Sequence, residues 1–140
     1  MMSSDLTRLR RFAEEYTAAW CSQDPALVAA CYEESGSLSV NENAPAVGRA
    51  AITAVARGFM TTFPDMKVIM DDIQVQGGGA VYHWTLVGTN TGPGGTGNKV
   101  RISGFEVWRI GADGLIAESR GHFDSAEYEH QLAQGVVDSK

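Results

Sequence analysis

The hydrophobic period of this chain changes once, near Phe63. Before it, apolar residues recur at steps of three and four; after it, they alternate. Four segments carry the alternation: Met66 to Gln76, Ala80 to Thr89, Lys99 to Ile110 and Leu115 to Asp124. Gly77-Gly78-Gly79 and Ala112-Asp113-Gly114 stand where hairpins need tight turns. Long consecutive strands joined this way form an antiparallel sheet, and such a sheet must bury one face against something. The first half supplies the cover. A helix is expected over about residues 5 to 22, with Leu6, Leu9, Ala13, Tyr16 and Trp20 on one stripe and Phe12 beside it. Asp24-Pro25 reads as an N-cap and first helical position, followed by a stripe of Leu27, Val28, Cys31 and Tyr32. Gly36 to Val40 is a short strand. A third helix runs from about Arg49 to Thr62, turns Ile52, Val55, Phe59 and Phe63 inward, and is stopped by Pro64. Ser125 to Gln134 is a last short helix. This order defines an α+β domain with helices on one sheet face.

Both sheet faces carry large apolar groups. Tyr82, Trp84, Leu86, Ile102 and Trp108 share one parity; Val81, Val87, Phe105 and Val107 share the other. Helices cover one face only, so a homodimer through the other is expected.

With 140 residues the chain is one domain by length. Eleven Lys and Arg against 17 Asp and Glu give a net charge of −6, which excludes the basic footprint of nucleic-acid binding and of docking on anionic membranes. No apolar run approaches the roughly 18 residues of a membrane helix, and the N-terminus shows no secretory core, so a cytoplasmic location is expected. Cys21 and Cys31 read as small buried hydrophobes. Gly92-Pro93-Gly94-Gly95-Thr96-Gly97 lacks the Lys-Ser/Thr ending and the following helix of a phosphate loop. His83, His122 and His130 have no metal-ligand spacing, so no structural metal is expected.

Chemistry concentrates in the last strand. Glu118, Arg120, His122 and Asp124 alternate along one face, and four ionisable groups there must meet solvent or line a pocket. Asp124-Ser125-Ala126-Glu127 is also a capping-box pattern, so Asp124 is either a proton shuttle or a helix cap.

Phe63-Pro64-Asp65, Trp84 ahead of Gly88-Thr89-Asn90-Thr91-Gly92, Gly97, Asp113-Gly114-Leu115-Ile116-Ala117-Glu118, and Asp124 with Gln131-Leu132 together resemble the SnoaL-like polyketide cyclases of the nuclear transport factor 2 superfamily. The resemblance spans nearly the whole chain, residues 1–140, as a single domain. It implies a curved antiparallel sheet wrapped around three N-terminal helices to make a cone with a central apolar pocket. It implies that Asp124, near the end of the last strand, is the general acid/base of an aldol-type ring closure that needs no metal or organic cofactor; His122 would orient or assist it. The pocket is expected from Tyr16, Trp20, Asn41, Asn43, Phe59, Phe63, Trp84, Glu106 and Arg120. Tyr16, Asn41 or Asn43 would polarise a carbonyl oxygen, and Trp20, Phe59, Phe63 and Trp84 would form the apolar wall. The chain departs from its wider superfamily in places. The isomerase base falls at Val40, the Arg-x-Asp of epoxide hydrolases at Trp84 and Leu86, and the cyclase His at Asn90. Two functions follow. One is a cyclase, lyase or isomerase acting by proton transfer on a small apolar carbonyl compound. The other is a small-molecule-binding domain of the same fold without chemistry; a purely structural dimer module is a third, weaker reading.

Overall fold

The computed structural model describes residues 2–136. Helix α1 (Met2–Cys21) leads through α2 (Pro25–Ala29) into strand β1 (Tyr32–Val40), a two-residue strand β2 (Ala46–Val47) and helix α3 (Arg49–Thr62). Strands β3 (Lys67–Gln76), β4 (Gly79–Thr89), β5 (Lys99–Ile110) and β6 (Ile116–Phe123) follow, and α4 (Ser125–Gln134) ends the fold. The six strands form one curved, open sheet in the order β2-β1-β6-β5-β4-β3. The α+β class, the third and last helices and the β3–β4–β5–β6 meander match the sequence reading. Two features differ.

The first concerns Tyr32. The stripe Leu27, Val28, Cys31, Tyr32 suggested a helix running to Tyr32, but α2 stops at Ala29. Strand pairing wins the contest: Ile116 donates its backbone N–H to the carbonyl of Cys31 at 3.0 Å, and Tyr32 lies opposite Ile116. The Tyr32 ring is fully buried, and its carbonyl accepts from Arg49 Nε at 2.9 Å, which ties the start of β1 to the start of α3. The Asp24 cap itself is present, with the side chain accepting from Ala26 N–H at 3.1 Å. The second difference is the direction of β1. It runs parallel to β6, so the sheet is antiparallel except for the pair that joins its two ends in sequence.

The register sorts inward side chains into rows across the sheet. Leu38, Ser119, Trp108 and Ala80 make one row, and Val40, Gly121, Glu106, Tyr82 and Ile73 the next. Phe123, Gly104, Trp84 and Met70 make a third, and Ile102, Leu86 and Val68 a fourth. These rows are the parity that held the large aromatics in the sequence. Ala13, Tyr16, Ala19 and Trp20 of α1 and Ile52, Ala56 and Met60 of α3 are buried in the same core. Each large side chain so buried contributes roughly 1.5–3 kcal/mol. On the outer face Val81, Val87 and Val107 are half-buried and Phe105 is 37% exposed.

Small residues make room for the large ones. A Cβ on Gly104 would come within 2.7 Å of Trp84 Cζ2 and 3.0 Å of Phe123 Cβ and would strike the carbonyl of His122. Gly78, in the β3–β4 turn, has nothing within 4 Å. Gly104→Ala is therefore expected to destabilise the protein by about 2 kcal/mol through overpacking, and Gly78→Ala to stay within about 0.5 kcal/mol of the parent. Urea unfolding of the two variants side by side checks this.

Candidate functional site

Between the sheet and the helices lies an apolar cavity of about 60 Å³. Trp20 of α1, Val55 and Phe59 of α3, and Leu38 and Val40 of β1 form one side. Val68, Tyr82, Trp84, Leu86 and Ile102 form the sheet side, and Phe123 and Tyr128 close the end under α4. One carboxyl group enters this lining among the described residues, that of Glu106.

Glu106 stands on the inner face of β5 and is 8% exposed. Its Oε1 accepts three hydrogen bonds: from Trp108 Nε1 at 2.8 Å, Tyr16 OH at 2.9 Å and Ser119 Oγ at 2.9 Å. The Tyr16 hydroxyl also shares a 2.8 Å hydrogen bond with the Tyr32 hydroxyl. Since Tyr16 donates to Glu106, its oxygen is left to accept from Tyr32. Tyr16, Tyr32, Trp108 and Ser119 are all buried, and the Tyr16 ring packs edge to face on Trp108 at 5.1 Å and on Tyr82 at 5.4 Å. The second oxygen, Oε2, accepts no hydrogen bond from a described residue. Burial raises the pKa of the Glu106 carboxyl above its ordinary value of 4.5, against the opposing pull of its three donors. Burial, and then the charge of Glu106, hold Tyr16 and Tyr32 well above ordinary tyrosine values, so both remain protonated donors. The site can therefore keep a carboxyl dry, oriented by one oxygen and poised to exchange a proton through the other.

The residues expected at the pocket divide into three groups. Trp20, Phe59, Trp84 and Glu106 line the cavity, and Tyr16 touches Glu106. Phe63 and Asn41 stand behind the lining. Phe63 is fully buried beneath Gly88 and against the Tyr128 ring. Asn41, in the left-handed region at φ 54°, accepts the Phe123 N–H on Oδ1 at 2.9 Å and so pins the end of β6. Asn43, Arg120, His122 and Asp124 are not brought to the cavity. Asn43 is exposed in the turn after β1. The β5–β6 register sets Arg120 opposite Val107 and His122 opposite Phe105, which puts both on the outer face. The His122 ring packs on Phe105 with centroids 5.0 Å apart. Glu118, on the same face, meets Arg109 rather than Arg120, at 3.7 Å. Asp124 is exposed past the end of β6 and accepts the Glu127 N–H at 3.1 Å as an N-cap, while the Glu127 side chain accepts from Gln131. Its position is that of a helix cap and not of a proton shuttle in the cavity.

Glu106 was named for the pocket from the sequence, but not as the centre of a network. Its signal was a carboxylate on the apolar parity of β5, between Ile102 and Trp108. Such a residue is either paired or functional, because an unpaired buried charge is too costly to keep. Among the described residues, no three of His, Cys, Asp and Glu come together as a metal site, and no helix is long and apolar enough to cross a membrane. The glycine-rich segment after β4 is stitched to the end of α4, where Thr96 Oγ1 and Asn98 Nδ2 both donate to the carbonyl of Leu132, at 2.6 and 2.9 Å.

A layer of helices on a curved, open sheet, with a cavity between them and one carboxyl inside, defines the class. The family model described as a SnoaL-like domain matches residues 13–119, and the chain belongs to that family. Among solved structures it is similar to a putative SnoaL-like polyketide cyclase from Jannaschia sp. CCS1. The identity is 19%, the TM-score 0.77, and the match covers 96% of this chain and 94% of that one. It is also similar to a hypothetical protein with a ketosteroid isomerase-like fold from Catenulispora acidiphila, in complex with trimethylamine, at 13% identity and TM-score 0.76, covering 86% and 91%. A third is the epoxide hydrolase/cyclase-like enzyme SalBIII of pyran ring formation in the polyether salinomycin, at 15% identity and TM-score 0.75, covering 88% and 95%. These likenesses show the fold. No curated protein matches the sequence.

The placement of Asp124 has a direct test. Asp124→Ala should cost about 1 kcal/mol of stability, the ordinary loss of an N-cap, and Asp124→Ser should restore most of it. Thermal unfolding of the two variants reads both numbers.

Proposed function

We propose that this SnoaL-like domain is an acid–base enzyme of the cyclase, lyase or isomerase type, that it acts on a small apolar carbonyl compound, and that Glu106 carries the proton. The observation that supports this most is the half-occupied carboxyl. Oε1 is fixed by Trp108, Tyr16 and Ser119, Oε2 accepts from no described residue, and Glu106 lines an apolar cavity. A desolvated carboxylate is a stronger base than one in water, and the raised pKa is the same fact in other terms. Oε2 would take a proton from the carbon next to a carbonyl. The C–H electron pair becomes the carbon–carbon double bond of the enolate, and the carbonyl π pair moves to oxygen. In an isomerisation, Glu106 returns the proton to another carbon of the same skeleton. In a ring closure, the enolate carbon attacks a second carbonyl of the molecule, and the proton on Glu106 goes to the new alkoxide. Tyr16 would stay a donor throughout, since burial and the charge of Glu106 hold its pKa well above the ordinary tyrosine value.

The reading without chemistry, a small-molecule-binding domain, has its own support. Apart from Glu106 the cavity wall is almost wholly apolar, and a carboxyl with three donors is also a sound structural anchor.

Two measurements separate them. In D₂O, the protein should exchange the α-hydrogens of cyclopentanone above the buffer rate, and Glu106→Gln should lower that excess by about 100-fold or more, the usual worth of a placed general base. An unchanged excess, or none in the parent, leaves the binding domain. The second measurement is stability against pH. The folded protein holds the Glu106 proton to a higher pH than the unfolded chain, so stability should fall as pH rises from 4.5 through the folded-state value, then level off. Glu106→Gln should lack that fall. A Glu106 carboxyl whose ¹³C titration midpoint lies below 4.5 would contradict the raised value and make the group an anchor.

A further inference from the structure

Trp84 carries the one buried side-chain nitrogen or oxygen atom among the described residues that has no hydrogen-bond partner, its indole Nε1. A buried donor without an acceptor is a cost that folded proteins seldom keep without a use for it. Trp108 shows the ordinary solution in the same core, since its Nε1 donates to Glu106. The surroundings of Trp84 offer no such partner. Its row across the inner face holds Met70, Gly104 and Phe123, none with a side-chain oxygen, and the Phe123 ring meets the indole edge to face at 5.9 Å. The position is built rather than loose. Gly104 has no side chain because the six-membered edge of the indole lies over it.

We infer that the Trp84 N–H is the donor that receives a ligand's oxygen in this cavity, so that the site selects small neutral molecules with a carbonyl over hydrocarbons of the same shape. Trp84 lines the cavity and stands directly opposite Gly104, with Glu106 two residues further along the same face of β5. Diagonal neighbours of this kind are about 7 Å apart. Both residues line the one cavity, so a single small molecule can meet both, its oxygen on Nε1–H and an adjacent C–H toward Oε2. A ligand carboxylate would set a second negative charge beside Glu106, which argues for a neutral carbonyl. This assignment rests on the cavity being a ligand site, as proposed above, and would make Trp84 a binding and specificity residue that also faces the growing negative charge of an enolate.

The test uses two probes of one shape, cyclopentanone and methylenecyclopentane, which differ in the acceptor oxygen. The chain has three tryptophans, so its ¹⁵N spectrum has three indole N–H signals, and Trp84→Phe identifies the one concerned. In the parent protein, cyclopentanone should move the Trp84 N–H signal downfield and slow its exchange with water, and methylenecyclopentane should do neither. Trp84→Phe should weaken cyclopentanone binding roughly tenfold, a typical loss for one buried hydrogen bond, and leave methylenecyclopentane within about twofold. The inference is overturned if both probes move the signal alike, if neither does, or if the variant loses both ligands equally. The parent spectrum answers even if the variant folds poorly. Glu106→Gln keeps the two proposals apart. A ketone-dependent shift that persists in that variant, with deuterium exchange unaffected by it, leaves Trp84 as the recognition residue and removes Glu106 as the base. Loss of exchange without any ketone-dependent shift in the parent does the opposite.

Discussion

One oxygen atom, Oε1 of Glu106, holds four elements of this fold in place. It takes a donor from α1 through Tyr16, from β5 through Trp108 and from β6 through Ser119, and Tyr16 extends the network to Tyr32 at the start of β1. A buried carboxylate needs donors, and donors on separate elements can converge only if the helix and the strands sit in one register. The partners also suit their place. Tyr and Trp present a polar tip on an apolar body, so the charge is solvated without bringing water into the core. Removing one of them leaves a desolvated charge short of a partner, which costs more than the bond itself is worth.

Shape follows from the same rows. Glu106 and Trp84 are large and stand beside glycines, Gly121 and Gly104, on neighbouring strands. A Cβ at Gly121 would lie 3.6 Å from Glu106 Cγ, and one at Gly104 closer still to Trp84. Gly104 thereby lets the Trp84 indole lie across the sheet, whereas a Cβ on Gly121 would meet Glu106 only at ordinary contact distance. Phe123 and Tyr128, ring centroids 5.4 Å apart, then close the end where β6 hands over to α4.

What was legible in the sequence was local. The caps at Asp24 and Asp124, the stop at Pro64 and the glycine turns are each written in a few adjacent residues, and each stands where it was read. The inward parity of β4 and β5 was legible too, because large aromatics share it. The register between β1 and β6 was not. Its partners lie about eighty positions apart, as in the hydrogen bond between Asn41 and Phe123 at a separation of 82. No local pattern marks such a pairing, and a one-residue change of register turns a strand's face over. Arg120 and His122 stand outside for a nearer reason, since the β5–β6 register sets them opposite Val107 and Phe105 on the outer parity. Tyr32 fell between two rules, since its spacing continues a helical stripe while its pairing belongs to a strand. Glu106 was visible as an odd residue on an apolar face, but its role depends on Tyr16, Trp108 and Ser119 meeting from three elements.

The parallel pair β1–β6 also sets an order of events. The meander from β3 to β6 is joined by near neighbours in sequence, and loops of that length close at little entropic cost. The wall made by Leu38, Val40 and Phe123 forms only when the early strand meets the late one. Contacts of such long separation are the slow part of folding. Tyr32 of β1 reaches the Glu106 network through Tyr16 at that closure, whereas Ser119 meets Glu106 within the β5–β6 pair, 13 positions away. The ionisation of this one group therefore depends on side chains drawn from both ends of the chain, Tyr16 of α1 and Ser119 of β6.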